Sequence, residues 1–72
     1  MELVQNKASG KSFIVIDDSG GACLLLITPE GKVKSLERLL FGPQIVFDPR
    51  KPQRNLYLTK PQMERYAEYF DE

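Results

Sequence analysis

The sequence predicts a small, mainly β domain: a bent antiparallel sheet of four or five strands closed by one C-terminal amphipathic helix. Three observations predict it. Two apolar runs of strand length, Ser12-Phe13-Ile14-Val15-Ile16 and Ala22-Cys23-Leu24-Leu25-Leu26-Ile27-Thr28, flank a Gly-rich turn. Short strand candidates then alternate with Gly and Pro turn signals. From Thr59 onward the apolar spacing changes to that of a helix.

Taken in chain order, Leu3–Gln5 is a short first strand candidate, and Asn6-Lys7-Ala8-Ser9-Gly10 reads as a turn. Ser12–Ile16 and Ala22–Thr28 then form a β-hairpin around Asp17-Asp18-Ser19-Gly20-Gly21. Both runs are apolar on both faces, which implies strands covered on both sides. Pro29-Glu30-Gly31 is a second turn, with proline presetting φ and glycine suited to the left-handed residue that closes it. The strand Lys32-Val33-Lys34-Ser35-Leu36 is expected to turn its lysines to water and Val33 to the core.

Glu37–Phe41 fits either a helical turn or a continued strand, and Gly42-Pro43 ends it. Gln44–Phe47 is a further strand candidate, and Asp48–Gln53 is a loop because two prolines remove ladder donors. Asn55–Leu58 is a candidate last strand. Thr59-Lys60-Pro61-Gln62 is a capping box, with Leu58 and Met63 at the two positions of a hydrophobic staple. Met63, Tyr66, Ala67 and Phe70 then recur at i, i+3, i+4 and i+7, so a helix is predicted from Lys60 to about Asp71.

The expected architecture is thus a strongly bent sheet or SH3-like barrel with the helix over its open end; a helix-backed open sheet is the alternative. The SH3-like description is an analogy of shape and implies no function. The 72 residues are expected to form one domain. A chain of this size buries only about 60% of the surface its unfolded form exposes. Nearly every apolar side chain is therefore needed in the core or in an interface between copies.

Ten basic and ten acidic residues give no net charge, which argues against a general polyanion binder. The charges are nevertheless segregated. Residues 29–61 carry Lys32, Lys34, Arg38, Arg50, Lys51, Arg54 and Lys60 against Glu30, Glu37 and Asp48, a net of +4. Residues 62–72 carry Arg65 against Glu64, Glu68, Asp71 and Glu72, a net of −3. A basic middle and an acidic end make a dipolar molecule.

Catalytic and metal chemistry find little to work with. There is no histidine, and the one cysteine allows no internal disulfide, which fits a reducing compartment. Cys23 lies in an apolar run, so it is expected to be buried and inert, with no histidine to activate it. Asp17-Asp18-Ser19-Gly20 does not continue as a calcium loop, because Thr28 stands where the bidentate glutamate is required. Its aspartates are expected to bond nearby backbone in a hairpin turn. Gly20-Gly21 precedes a strand and so cannot hold phosphate at a helix N-terminus. The longest apolar run, Ala22–Ile27, falls far short of the ~20 residues that span a bilayer. A cytoplasmic, non-enzymatic protein without cofactor or metal is expected, with no membrane partner.

Two functions remain. The first is an interaction module that binds a protein partner, or a second copy of itself, through a sheet edge or through the Tyr69 side of the helix. The second is a nucleic-acid-binding barrel, in which Lys32, Lys34, Arg38, Arg50, Lys51 and Arg54 converge on one face around Tyr57. The plain alternative for the basic strand is an edge whose lysines block edge-to-edge pairing.

Overall fold

A computed structural model describes residues 1–18, 20–46 and 57–70, with Phe70 described by its backbone alone. The strands are β1 (Glu2–Gln5), β2 (Ser12–Asp17), β3 (Cys23–Ile27), β4 (Val33–Glu37) and β5 (Ile45–Val46), followed by one helix, α1 (Lys60–Phe70). They form one antiparallel sheet in the order β4-β3-β2-β1-β5. The expected mainly β fold with one C-terminal helix is therefore present. The sheet is open, with β4 at one edge and β5 at the other, so a closed barrel is not formed.

Cross-strand partners share a face, and the register sorts the core into two layers. Leu3 pairs with Ile14 and Ile14 with Ile27. All three are fully buried beneath Leu58, Met63 and Tyr66, with Met1 and Ile16 beside them. On the opposite face Val4, Val15, Leu24, Leu26 and Phe41 form a second cluster with Phe13 and Leu36. The doubly apolar runs of the sequence are explained by this arrangement: β2 and β3 are central strands with apolar cover on each side.

The cover on the second face comes from the chain between β4 and β5. A single 3-10 turn, Arg38–Leu40, resolves the ambiguous stretch after Glu37. This segment starts where the Arg38 N–H donates to the Ala22 carbonyl, and it reaches the end of β1. There the Lys7 N–H donates to the Leu40 carbonyl and the Gly42 N–H to the Gln5 carbonyl. Phe41 is buried on the way, its ring edge-on to Phe13 at 5.0 Å between centroids. Such a pair adds about 0.5–1.5 kcal/mol beyond the area it buries.

The helix starts as predicted. The Gln62 N–H donates to Thr59 Oγ1 at 3.3 Å, and Gln62 Oε1 accepts from the Thr59 N–H at 3.2 Å, a reciprocal capping box. Gln62 does more than cap. It is fully buried, and its Nε2 donates to the carbonyls of Ser12 at 2.8 Å and Ile27 at 3.1 Å. Extending the β2–β3 register two residues past Ile14 and Ile27 sets Ser12 opposite Pro29, which has no N–H to give. Gln62 supplies the donor that the proline lacks.

The β3–β4 turn is the other anchor. Gly31 donates to the Thr28 carbonyl and adopts φ +85°, as expected of the closing glycine. It packs so close to α1 that a Cβ there would stand 2.8 Å from the Pro61 oxygen. Thr59 Oγ1 donates to the Pro29 carbonyl, and Arg65 Nε to the Gly31 carbonyl at 2.9 Å.

Several expectations are corrected. Val33 shares the helix-side face with Ile27 but lies past the reach of α1, so it is 39% exposed. Alternation places Lys34 and Leu36 together on the other face, where only Leu36 reaches the core. Within the helical stripe Met63 and Tyr66 pack on the sheet, whereas Ala67 is exposed. Tyr57 and Leu58 belong to no strand, and the remaining residues proposed for that strand, Asn55 and Leu56, lie outside the described residues, as does Phe47.

Candidate functional site: the outer edge of β4

The most open part of the sheet is β4, four of whose five residues are exposed. Its inner side is set by the turns that bracket it. The Thr28 N–H donates to the Lys32 carbonyl at one end, and the Arg38 N–H to the Ala22 carbonyl at the other. Backbone direction alternates along a strand, so Lys34 and Leu36 also turn their peptide groups toward β3. Val33, Ser35 and Glu37 turn theirs outward, where no further strand lies among the described residues. Among the described residues these outward donors and acceptors have no partner strand, the form of edge that accepts another strand.

Among the described residues the other edge, β5, is two residues long and starts two positions after Pro43.

Among the described residues the predicted basic group is divided. Lys32 and Lys34 are both exposed and project from the same side of β4. Lys34 and Lys11 act on Glu30: its carboxyl is held below the usual range by its own backbone N–H and the Thr28 hydroxyl, with these two lysines adding to the effect.

Arg38 has a different task. Its guanidinium pairs with both oxygens of Asp18 and donates through Nε and Nη2 to the Gly21 carbonyl. Asp18 also accepts from the Gly20 N–H at 2.9 Å and from Gln44 Nε2 at 2.8 Å. These bonds, that to Arg38 first, hold the Asp18 carboxyl far below the ordinary aspartate range. The network ties the β2–β3 turn to the 3-10 turn and to the approach to β5. As expected, Asp18 bonds nearby backbone, whereas Asp17, expected in the same turn, is the last residue of β2; an arginine counted among the binding residues is the partner of Asp18. Arg50, Lys51 and Arg54 lie outside the described residues.

The aromatic candidates stand apart from β4. Tyr57 is 78% exposed and lines a shallow groove with Ser9, Gly10, Lys11, Pro29 and Thr59. Tyr69 is half-exposed near the end of α1.

Cys23 corrects the sequence reading. It is exposed, the first residue of β3, opposite Glu37 of β4. Along that face of β3, Ile27 is buried, Leu25 half-buried and Cys23 open, because α1 covers only the Ile27 end. The apolar run showed a strand but not where its cover stops.

Among the described residues no cluster of His, Cys, Asp and Glu could hold a metal ion, and no helix is long and apolar enough to cross a membrane. Compared with protein-family models, with curated proteins and with solved structures, the chain matches none of them.

Proposed function

We propose that this protein is a non-catalytic interaction module that binds a protein partner by receiving an extended segment along the outer edge of β4. One observation carries the reading: the outward peptide groups of Val33, Ser35 and Glu37 on an exposed edge strand. Main-chain hydrogen bonds supply affinity in such strand addition, and alternate side chains supply specificity. The one free cysteine fits a reducing compartment, and the cytoplasm is the proposed setting.

The test is Ser35→Pro. Proline removes only the outward N–H and is tolerated on an edge strand, so the pairing of β4 with β3 survives. A partner captured by the wild-type chain and lost with Ser35→Pro, at unchanged melting temperature, supports the reading. Equal capture by both chains overturns it.

A second reading, binding of single-stranded nucleic acid, draws support from Tyr57 standing exposed beside Lys11, with Lys34 acting on the nearby Glu30. With four to six phosphate contacts the log–log salt slope would be about −3 to −4. The engagement of Arg38 by Asp18 and the absence of net charge place this reading second. A single-stranded RNA is expected to bind no tighter than ~100 μM at physiological salt. A micromolar complex weakened by Lys34→Glu would reverse the order.

A further inference from the structure

We propose that the segment received by β4 is acidic. It runs antiparallel, with Asp or Glu opposite Lys34 and Lys32 and an apolar residue between them, opposite Val33. This inference rests on the edge reading above and adds the chemistry of the partner.

The charges of β4 are arranged by face. Lys32 and Lys34 stand on the side away from α1, and both are exposed. Arg38, the next basic residue of that parity, is paired with Asp18 and adds no free charge. Lys34 sits at the second of five positions in the strand, so an incoming chain that uses the Val33 and Ser35 peptide groups must pass it. A carboxylate directly opposite a lysine on an antiparallel ladder is a favourable cross-strand pair, and a like charge there is unfavourable. On the helix side, Val33 is exposed at 39% and offers an apolar surface to the residue facing it.

The same arrangement opposes a second copy of this chain as the occupant. A self-complementary register centred on Ser35 sets Ser35 opposite the partner's Ser35, with Val33 and Glu37 exchanging outward bonds. Lys34 then lies diagonal to the partner's Lys34 at roughly 7–8 Å. These two like charges meet at the seam, so the lysines act against self-pairing. An acidic strand turns the same lysine charge into attraction.

The experiment titrates the full chain with two short capped peptides, Thr-Val-Thr-Glu-Val-Glu-Thr and its counterpart with lysine in place of glutamate, followed by amide chemical shifts. The acidic peptide is expected to bind preferentially and to perturb Val33, Ser35 and Glu37. Lys34→Glu is expected to weaken it roughly fivefold, as for an exposed ion pair replaced by repulsion, and to favour the lysine peptide. Ser35→Pro is expected to abolish both. If both peptides bind alike and only Ser35→Pro stops them, the edge reading stands and the acidic partner is wrong. If the acidic peptide binds Ser35→Pro as well as wild type, a charged patch rather than an edge holds it, and both claims fail. Both also fail if neither peptide binds at about 1 mM, roughly −4 kcal/mol of affinity. Concentration-dependent dimerisation through β4 without peptide would name the second copy as occupant instead.

Discussion

The side-chain amide of Gln62 donates to the backbone carbonyl of Ser12 at 2.8 Å, across fifty residues of chain. With the bond to Ile27 and the reciprocal cap on Thr59, it makes one buried glutamine the join between helix and sheet. Gln62→Leu keeps the volume and leaves the Ser12 carbonyl without a donor, so a loss of about 2–3 kcal/mol is expected in denaturant unfolding. Gln62→Glu is more informative. A buried carboxyl facing two carbonyls has its folded pKa raised above the unfolded value of about 4.3. Its neutral form alone can donate. The variant should therefore be most stable, relative to Gln62→Leu, below pH ~4.3 and lose that advantage as pH rises through the folded pKa. Equal pH dependence of the two variants would place residue 62 in water.

Gly31 separates backbone strain from collision. Gly20 and Gly31 have nearly the same φ, +83° and +85°, but a Cβ at Gly20 meets nothing within 4 Å while one at Gly31 meets Pro61. Gly20→Ala should cost about 1–2 kcal/mol, the left-handed penalty alone. Gly31→Ala should cost clearly more, roughly 2–4 kcal/mol, because α1 must also shift. Melting curves of the two variants measure the difference, and equal losses would show that the turn and helix are not in contact.

The Asp18–Arg38 pair predicts part of the acid sensitivity. Because the folded carboxyl titrates below its unfolded value of about 3.9, its contribution is present above that pH and lost as pH falls beneath it. Asp18→Asn should be less stable than wild type at neutral pH, with the gap narrowing below pH ~4. A gap that stays constant from pH 7 to pH 3 would remove the pair from the account.

Cys23 should react with a thiol reagent in the native protein, to completion and without denaturant, since its side chain stands open at the start of β3. Labelling that waits for unfolding would bury the thiol and extend the helix cover along β3.

Local signals were legible in the sequence where their physics is local. The capping box of Thr59 and Gln62, the closing role of Gly31 and the strand periods of β2 and β3 each follow from a few adjacent residues. What sequence reasoning missed depends on reach. Cys23 and Val33 lie on the helix-side face, and only the length and placement of α1 decide that they stay exposed. Arg38 looked like one more basic residue because its partner, Asp18, sits twenty positions earlier and is brought close only by the sheet. Gln62 carried a recognisable capping signal, but its second role, answering the N–H missing at Pro29, requires the strand register. The edge itself was named as a possible surface. That β4 rather than another strand would provide it follows from the strand order.

Amide hydrogen exchange of the free protein at dilute concentration tests the central claim, that the outer edge of β4 is open. Backbone direction predicts an alternation within five residues: Val33, Ser35 and Glu37 exchange at nearly unprotected rates, while Lys34 and Leu36, paired to β3, are protected. Adding a bound strand should then slow the three outward amides and leave the inner two nearly unchanged. Protection of Ser35 and Glu37 in the free monomer would contradict the account, because the edge would already be occupied and no partner could add to it.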